Sequence, residues 1–291
     1  MSDFDLHMHS VYSCDGEYSP AALISFAEKS GIKTIALTDH NTTAGVQEMI
    51  HAAEPAKIEV IPAVELDCIY EDVVFHLLGY YIDYKSPKYS KIDEDIRNQE
   101  IKAATERIRL VRELGIDIDT DEALSMAKDG FVTGEIIAEI VLNKPENINN
   151  PLLKPYYPGG SRSDNPYVNF YWDICSQGKP AYVHIEYISL KDAINLVEDT
   201  GGVPVLAHPG NNLKSRLHML EDMVKLGIKG IEAYSSYHTP EQNRYFASKA
   251  HEYDLVVTGG SDFHGKTKPS INMGQFGYDG DMTDLPTTLR K

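Results

Sequence analysis

Asp5-Leu6-His7-Met8-His9 and Lys33-Thr34-Ile35-Ala36-Leu37-Thr38-Asp39-His40 are two short apolar runs, and each ends in histidine. Residues 3–8 and 33–38 read as strands. Between them Ser19-Pro20 opens a helix, with Ser19 as N-cap and Pro20 at the first helical position. It runs to Ser30 and stops at Gly31. A helix over 42–53 and strands over 58–66 and 73–82 continue the alternation. This rhythm predicts a mainly parallel sheet covered by helices.

The rhythm breaks near Lys85. A long charged helix spans 90–114, with Ile92, Ile96, Ile101, Ile108, Leu110, Val111 and Leu114 as its apolar positions. Helical patterns over 120–128 and 133–142 follow, and then a loop rich in Pro, Asn, Gly and Tyr over 144–180. Beyond Ser189 the alternation resumes: helix 189–200, strand 202–207, helix 214–226, strand 229–233, helix 239–253, strand 255–259. The expected organisation is one α/β barrel built from residues 1–85 and 185–291. Residues 86–184 are inserted as a mainly helical and loop cap.

The composition is that of an ordinary globular protein, 42% hydrophobic and 24% charged over 291 residues. A net charge of −17 argues against a nucleic-acid polymer, whose binders rely on Lys and Arg to displace counterions. A small phosphorylated metabolite is compatible, because divalent cations at a site reverse the local potential. Cys14, Cys68 and Cys175 form neither a CxxC pair nor an even framework, which suits a reducing compartment. No basic region precedes an apolar run at the N-terminus, and no stretch approaches the roughly 20 apolar residues of a membrane span. The expected location is the cytoplasm, with no membrane partner.

Potential ligands cluster at strand ends. His7 and His9 are followed by Asp15; His40 and Glu65 each close an apolar run; His208 follows Val203–Ala207; Asp262 and His264 follow Leu255–Thr258. Taken singly, each has an ordinary reading. Asp15 in Ser13-Cys14-Asp15-Gly16 is a turn residue, and His76 in Phe75-His76-Leu77-Leu78 is a core histidine. Five such segments in one chain point instead to a multi-metal site, since strand C-terminal ends are where α/β barrels assemble their sites. Six histidines and three carboxylates suit Mn²⁺, Fe²⁺ or Zn²⁺. Nine ligands exceed the needs of one ion and suffice for three. Metals about 3.5–4 Å apart activate water and stabilise the leaving oxygen of an in-line displacement at phosphorus.

These residues resemble the signatures of the polymerase and histidinol phosphatase (PHP) family: His7-x-His9, Thr38-Asp39-His40, His208-Pro209-Gly210 and Ser261-Asp262-x-His264. The resemblance covers residues 1–85 and 185–270. It implies a distorted (β/α)₇ TIM-like barrel with two to three divalent metal ions at the strands' C-terminal ends. His7, His9, Glu65 and Asp262 are implied to hold the first metal, with Glu65 bridging to a second completed by His76 and His208. Asp15, His40 and His264 are implied to hold a third, which some members lack. A hydroxide bridging the first two metals is the implied nucleophile.

The inserted segment is similar to that of small bacterial phosphoesterases acting on cyclic phosphodiesters of sugars or on nucleotide 3′,5′-bisphosphates. Gly178-Lys179-Pro180-x-Tyr182-Val183 matches them, and Lys179 is implied to bind phosphate. Two positions depart from the bisphosphatase pattern. Gly134 follows Val132-Thr133, and Asn211 follows His208-Pro209-Gly210, where arginines are expected. Loss of two guanidiniums favours a cyclic sugar phosphodiester, with Asn211 facing the substrate. The alternatives are a nucleotide 3′,5′-bisphosphate and histidinol phosphate. A barrel with His-x-His also fits an amidohydrolase, but such sites usually want a carbamylated Lys where Glu65 bridges here.

The loop Gly160-Ser161-Arg162-Ser163-Asp164-Asn165-Pro166-Tyr167 reads either as polar surface or as a substrate cap. In the second reading Arg162 and Ser163 contact phosphate or sugar, and Tyr156, Tyr157, Tyr167 and Tyr171 shape the pocket. His184 is either a proton donor to the leaving alkoxide or a solvent-facing strand residue. His51, His218, His238 and His251 lie on helical stretches and read as surface residues.

Overall fold

In a computed structural model the strands Phe4–Asp5 (β1), Thr34–Leu37 (β2) and Glu59–Tyr70 (β3) pair in parallel, in the order of the chain. The structure describes residues 2–127, 130–279, 281 and 289. Lys128, the end of the helix expected over 120–128, lies outside the described residues, as do positions 1, 280, 282–288, 290 and 291 of the expected barrel halves. The helix between β1 and β2, Pro20–Ser30 (α1), has the expected ends. The Ser19 hydroxyl accepts the Ala22 N–H at 3.3 Å, and Gly31 takes the left-handed conformation at φ 74° that closes many helices.

Among the described residues Val73–Tyr80 (β4) is the one reversed strand. Its antiparallel pairing with β3 follows from a two-residue turn, Glu71-Asp72, with φ of 48° and 61°. Positive φ at both central positions matches the right-handed twist of the flanking strands and makes a tight hairpin. The sheet continues through Val203–Leu206 (β6), Gly230–Ser235 (β7) and Val256–Gly260 (β8) in the order β1-β2-β3-β4-β6-β7-β8, while Ile188–Ser189 (β5) pairs with β3. Apart from the two pairings of β4, all strand pairings among the described residues are parallel. The Leu6 N–H donates to the Gly259 carbonyl at 3.2 Å, so β8 returns to β1 and the barrel nearly closes. The fold is a distorted α/β barrel.

Helices Val46–Ala53 (α2), Leu190–Asp199 (α7), Pro209–Asn212 (α8), Met219–Leu226 (α9) and Pro240–Glu252 (α10) accompany the barrel strands. Two start later than expected. The Thr42 and Thr43 hydroxyls are engaged by Asp93 and by the Tyr84 carbonyl, which holds residues 42–45 outside α2. Lys214 sits at φ 48°, a conformation no helix continues, so the helix expected from 214 begins at Met219.

Residues 86–184 carry Pro87–Glu113 (α3), Thr120–Ser125 (α4), Gly134–Asn143 (α5) and Pro166–Phe170 (α6). Ala104, Ile108, Val111, Ile137, Val141, Phe170 and Ile174 share a buried cluster there. A different cluster, with Leu6, Leu66, Leu77, Val205, Ile231 and Val257, fills the barrel. Ile101, expected on the apolar face of α3, is exposed, because the helix buries mainly its C-terminal half from Ala103 to Val111. Among the described residues no helix is long and apolar enough to cross a membrane.

Candidate metal centre

His7 and His9 leave the end of β1 in extended chain, where residues two apart project to one side. Their backbone is tied to the segment after β8: His9 N–H donates to the Phe263 carbonyl at 2.9 Å, and Asp262 N–H to the His7 carbonyl at 2.8 Å. Gly260 makes that approach possible, since a Cβ there would lie 2.3 Å from the His7 Cβ. The buried Asp5 carboxylate accepts the N–H groups of His7, Ser261 and Gly274, lacing both strand ends together. Asp39, of the Thr-Asp-His run, takes the Ser10 N–H at 2.6 Å and hydroxyl at 2.7 Å, so it anchors the loop after His9.

The nine expected ligands converge. His7 Nε2 lies 3.2 Å from Glu65 Oε2 and 3.3 Å from Asp262 Oδ1; His9 Nε2 lies 3.2 and 3.0 Å from the same two oxygens. Bonds of about 2.0–2.2 Å to a tetrahedral ion set ligand atoms about 3.3–3.6 Å apart, so this four-atom cage is close to the size of one cation. The other oxygen of Glu65, Oε1, lies 3.0 Å from His76 Nδ1 and 3.1 Å from His208 Nε2. A further group gathers His9, Asp15, His40 and His264, with Asp15 Oδ2 at 3.0 Å from His264 Nε2 and 3.9 Å from His40 Nε2.

Six of these atoms are buried without a hydrogen-bond partner: Nε2 of His7, His9 and His264, Nδ1 of His40, Glu65 Oε2 and Asp262 Oδ1. An orphaned buried polar atom costs roughly 1–3 kcal/mol. So many facing one another are uneconomical in a merely structural core and natural around cations. The residues present therefore fit divalent metal ions.

Electrostatics divide the rings. Burial opposes charge on His7, but Glu232, Glu65 and Asp262 outweigh it and raise its pKa well above the usual value. His9 is pushed down to about 4 by burial and by the rings of His264 and His40. Burial likewise opposes charge on Glu65 and Asp262, yet His7, His76 and His40 around the first, and Lys268, His264 and His7 around the second, hold both carboxyls well below the usual range.

Residues behind the cage orient it. Glu232 on β7 is fully buried, and its Oε1 lies 2.9 Å from His7 Nδ1 while Oε2 accepts the His208 N–H at 2.8 Å. In the neutral ring that a metal requires, a proton on His7 Nδ1 satisfies Glu232 and leaves Nε2 facing Glu65 and Asp262. His264 Nδ1 lies 2.9 Å from the Asp262 carbonyl, which directs its Nε2 at Asp15. Asp262 Oδ2 receives the Tyr237 hydroxyl and the Lys268 ammonium, both at 2.6 Å. Asp262 and His208 have φ of 57° and 22°, conformations that cost non-glycine residues energy and tend to cluster at functional sites.

The sequence reasoning missed four of these residues. Asp67 stands two positions beyond Glu65 on the same face of β3, with Oδ1 at 3.3 Å from His40 Nδ1 and from His76 Nε2. Period-2 alternation along β3 was the signal that could have found it. Glu232 announced itself only as a carboxylate inside an apolar strand. Tyr237 and Lys268 lay outside every motif.

A cavity of ≈ 740 Å³ opens over the ligands, with Asp15, His40, Asp67, His76, His208 and Asp262 in its lining opposite Arg97, Arg107, Tyr171 and Trp172. Lys179 and Asn211 line it as well. Arg162 lines it with its guanidinium engaged by Asp173 at 2.9 and 3.3 Å. Ser163 does not line it, and its hydroxyl donates to the Gly160 carbonyl. His184 is exposed, sits 3.2 Å from the Tyr182 hydroxyl and does not line the cavity either. Of the four tyrosines expected to shape the pocket, only Tyr171 lines it; Tyr156, Tyr157 and Tyr167 pack with the inserted segment's own core. His51, His218 and His251 are exposed, but His238 is not a free surface residue. Its Nε2 accepts the Gly210 N–H at 2.9 Å and its Nδ1–H donates to the Ala233 carbonyl at 3.0 Å, because a glycine at 210 leaves room for the ring.

Residues 5–129 match the PHP domain. The phosphoribosyl 1,2-cyclic phosphate 1,2-diphosphodiesterase of Eggerthella lenta is 29% identical over 265 residues, 90% of this chain and 94% of that protein. A 5′-3′ exoribonuclease of Haemophilus influenzae is 30% identical over 264 residues, 90% of this chain and 89% of that one. The 3′,5′-nucleoside bisphosphate phosphatase of Chromobacterium violaceum is 28% identical over 295 residues, 100% of this chain and 95% of that one. A solved structure from Bifidobacterium adolescentis, described as a metal-dependent phosphoesterase, superposes with a TM-score of 0.75 at 28% identity, covering 96% of this chain and 93% of that one.

Proposed function

The chain belongs to the PHP family of metal-dependent phosphoesterases, and from that premise we propose that it hydrolyses a small phosphorylated metabolite, with a cyclic sugar phosphodiester as the favoured substrate. One observation carries the chemistry. The two oxygens of Glu65 face different ligand sets, His7 and His9 on one side and His76 and His208 on the other, as a carboxylate bridging two cations must. Asp15, His40 and His264 would hold a third ion. When bound, such ions activate water and neutralise charge developing on the phosphoryl oxygens.

The chain's own residues supply the rest. Glu232 and the Asp262 carbonyl fix the tautomers of His7 and His264. Lys268 and Tyr237 hold Asp262 in place. Lys179 and Asn211 stand on the cavity wall to receive the phosphate, and Arg162 joins them if substrate draws it from Asp173. The segment 86–184 acts as the cap that closes this wall over the barrel.

The substrate preference rests on Gly134 and Asn211, which leave two positions without the guanidinium a second phosphate would use. The similarity to the cyclic phosphate diphosphodiesterase supports it. Purified protein loaded with Mn²⁺ should hydrolyse p-nitrophenyl phosphate or its diester, and Asp262→Asn should abolish turnover. Side-by-side kcat/KM on cyclic ribose phosphates, nucleotide 3′,5′-bisphosphates and histidinol phosphate identifies the substrate. Metal-replete protein inactive on every phosphoester would overturn the assignment.

A further inference from the structure

Beside the metal cavity lies a second one of ≈ 670 Å³, within the roughly 300–1,000 Å³ of small-molecule sites. Arg162, Trp172 and Tyr237 line both. Tyr237 stands where the two meet. Its ring centroid stands 5.6 Å from that of His208 and 5.8 Å from that of Trp172, and its hydroxyl bonds Asp262.

The lining of the second cavity does not suit an anion. The cation it holds, Arg162, is already paired with Asp173, and Asp164 and Asp279 stand nearby. What it does offer is stacking surface and neutral hydrogen-bonding groups. Trp172, Tyr237 and Tyr278 supply rings, and Asn272 and Gln275 supply exposed amides. At the end of β7, Ser235 is 1% exposed, and the hydroxyls of Ser235 and Ser236 are buried without a hydrogen-bond partner. Flat apolar faces edged by amides and hydroxyls match an uncharged heterocycle, whose faces stack and whose edge hydrogen-bonds.

We infer that this second cavity takes the base of a nucleoside whose sugar carries the reacting phosphate. The inference rests on the phosphoesterase reading and narrows it. With a base on C1′, the vicinal oxygens left for a cyclic phosphodiester on ribose are O2′ and O3′, so the substrate class is a nucleoside 2′,3′-cyclic phosphate. Water adds to phosphorus as one ester P–O bond breaks, the departing alkoxide takes a proton, and a nucleoside monophosphate results.

Calorimetric titration of the Mn²⁺-loaded enzyme with adenosine tests the cavity without any hydrolysis. Saturable binding is expected, weakened at least tenfold in Trp172→Ala and within threefold of wild type in Trp172→Phe, which keeps a ring. The ratio of kcat/KM for adenosine 2′,3′-cyclic phosphate over baseless ribose 1,2-cyclic phosphate should be at least ten and should fall towards one in Trp172→Ala. Adenosine failing to bind, or a wild-type ratio near one while the baseless ester is hydrolysed, overturns the inference and leaves the phosphoesterase reading standing. Absence of hydrolysis on every phosphoester removes that reading instead, and adenosine binding then still decides the cavity.

Discussion

Glu232 and His7 form a buried pair across the barrel, with the carboxylate Oε1 2.9 Å from the ring Nδ1. The same carboxylate takes the His208 N–H, so one side chain positions ligands from two strands. Glu232→Gln keeps the size of the side chain but leaves one carbonyl oxygen to do the work of two. Such partners of metal ligands typically account for about 10–100-fold in affinity. The variant should bind Mn²⁺ that much more weakly in a fluorescence or calorimetric titration while remaining folded by circular dichroism.

Metal loading should expel protons. Burial opposes charge on His40, but Glu65, Asp67 and Asp15 outweigh it and raise its pKa to about 10. In the metal-free protein the ring is therefore charged at pH 7.5, and ligation requires it neutral. Affinity should rise with pH across 6–9. Titrations in buffers of different ionisation enthalpy should give apparent binding enthalpies that differ in proportion, and identical enthalpies would contradict the picture.

Glu135, buried in the first turn of α5, has its pKa raised to about 7 by burial and then by the charge of Asp15. A folded-state pKa above the unfolded value means a stability contribution present at low pH and lost as pH rises through about 7. Glu135→Gln removes the ionisable group. In EDTA it should stabilise the protein by about 1–3 kcal/mol at pH 8, and by much less at pH 5. Thermal melts at the two pH values measure the difference.

Gly260→Ala places a methyl 2.3 Å from the His7 Cβ and 2.5 Å from its backbone nitrogen, where β8 closes onto β1. Overpacking of this kind costs about 1–3 kcal/mol. The variant should melt several degrees lower and bind metal more weakly, whereas Gly31→Ala, at a helix end with open space around it, should leave metal affinity unchanged.

Most of the ligands were legible because strand ends are punctuated. His40, His208 and Asp262 each follow a buried apolar run, and the run marks the strand while the break marks its end. Asp67 was not, because it lies within β3 and its reach to His40 and His76 depends on β4 folding back beside it. That reversal was readable in principle: only two residues, Glu71 and Asp72, separate two apolar runs, too few for a helical crossover. Tyr156, Tyr157 and Tyr167 looked like pocket residues by composition alone, and tertiary packing drew them into the core of the inserted segment. His238 looked like a surface residue because its partner, the Gly210 backbone, is 28 positions away.

The account turns on a carboxylate shared between cations. Anomalous diffraction from crystals of the Mn²⁺-loaded protein measures that directly. The account predicts one peak among His7, His9, Glu65 and Asp262, and a second among Glu65, His76 and His208, with Glu65 bonded to both. Mn²⁺ peaks lying elsewhere in the crystal, or on one side of Glu65 alone, would contradict it.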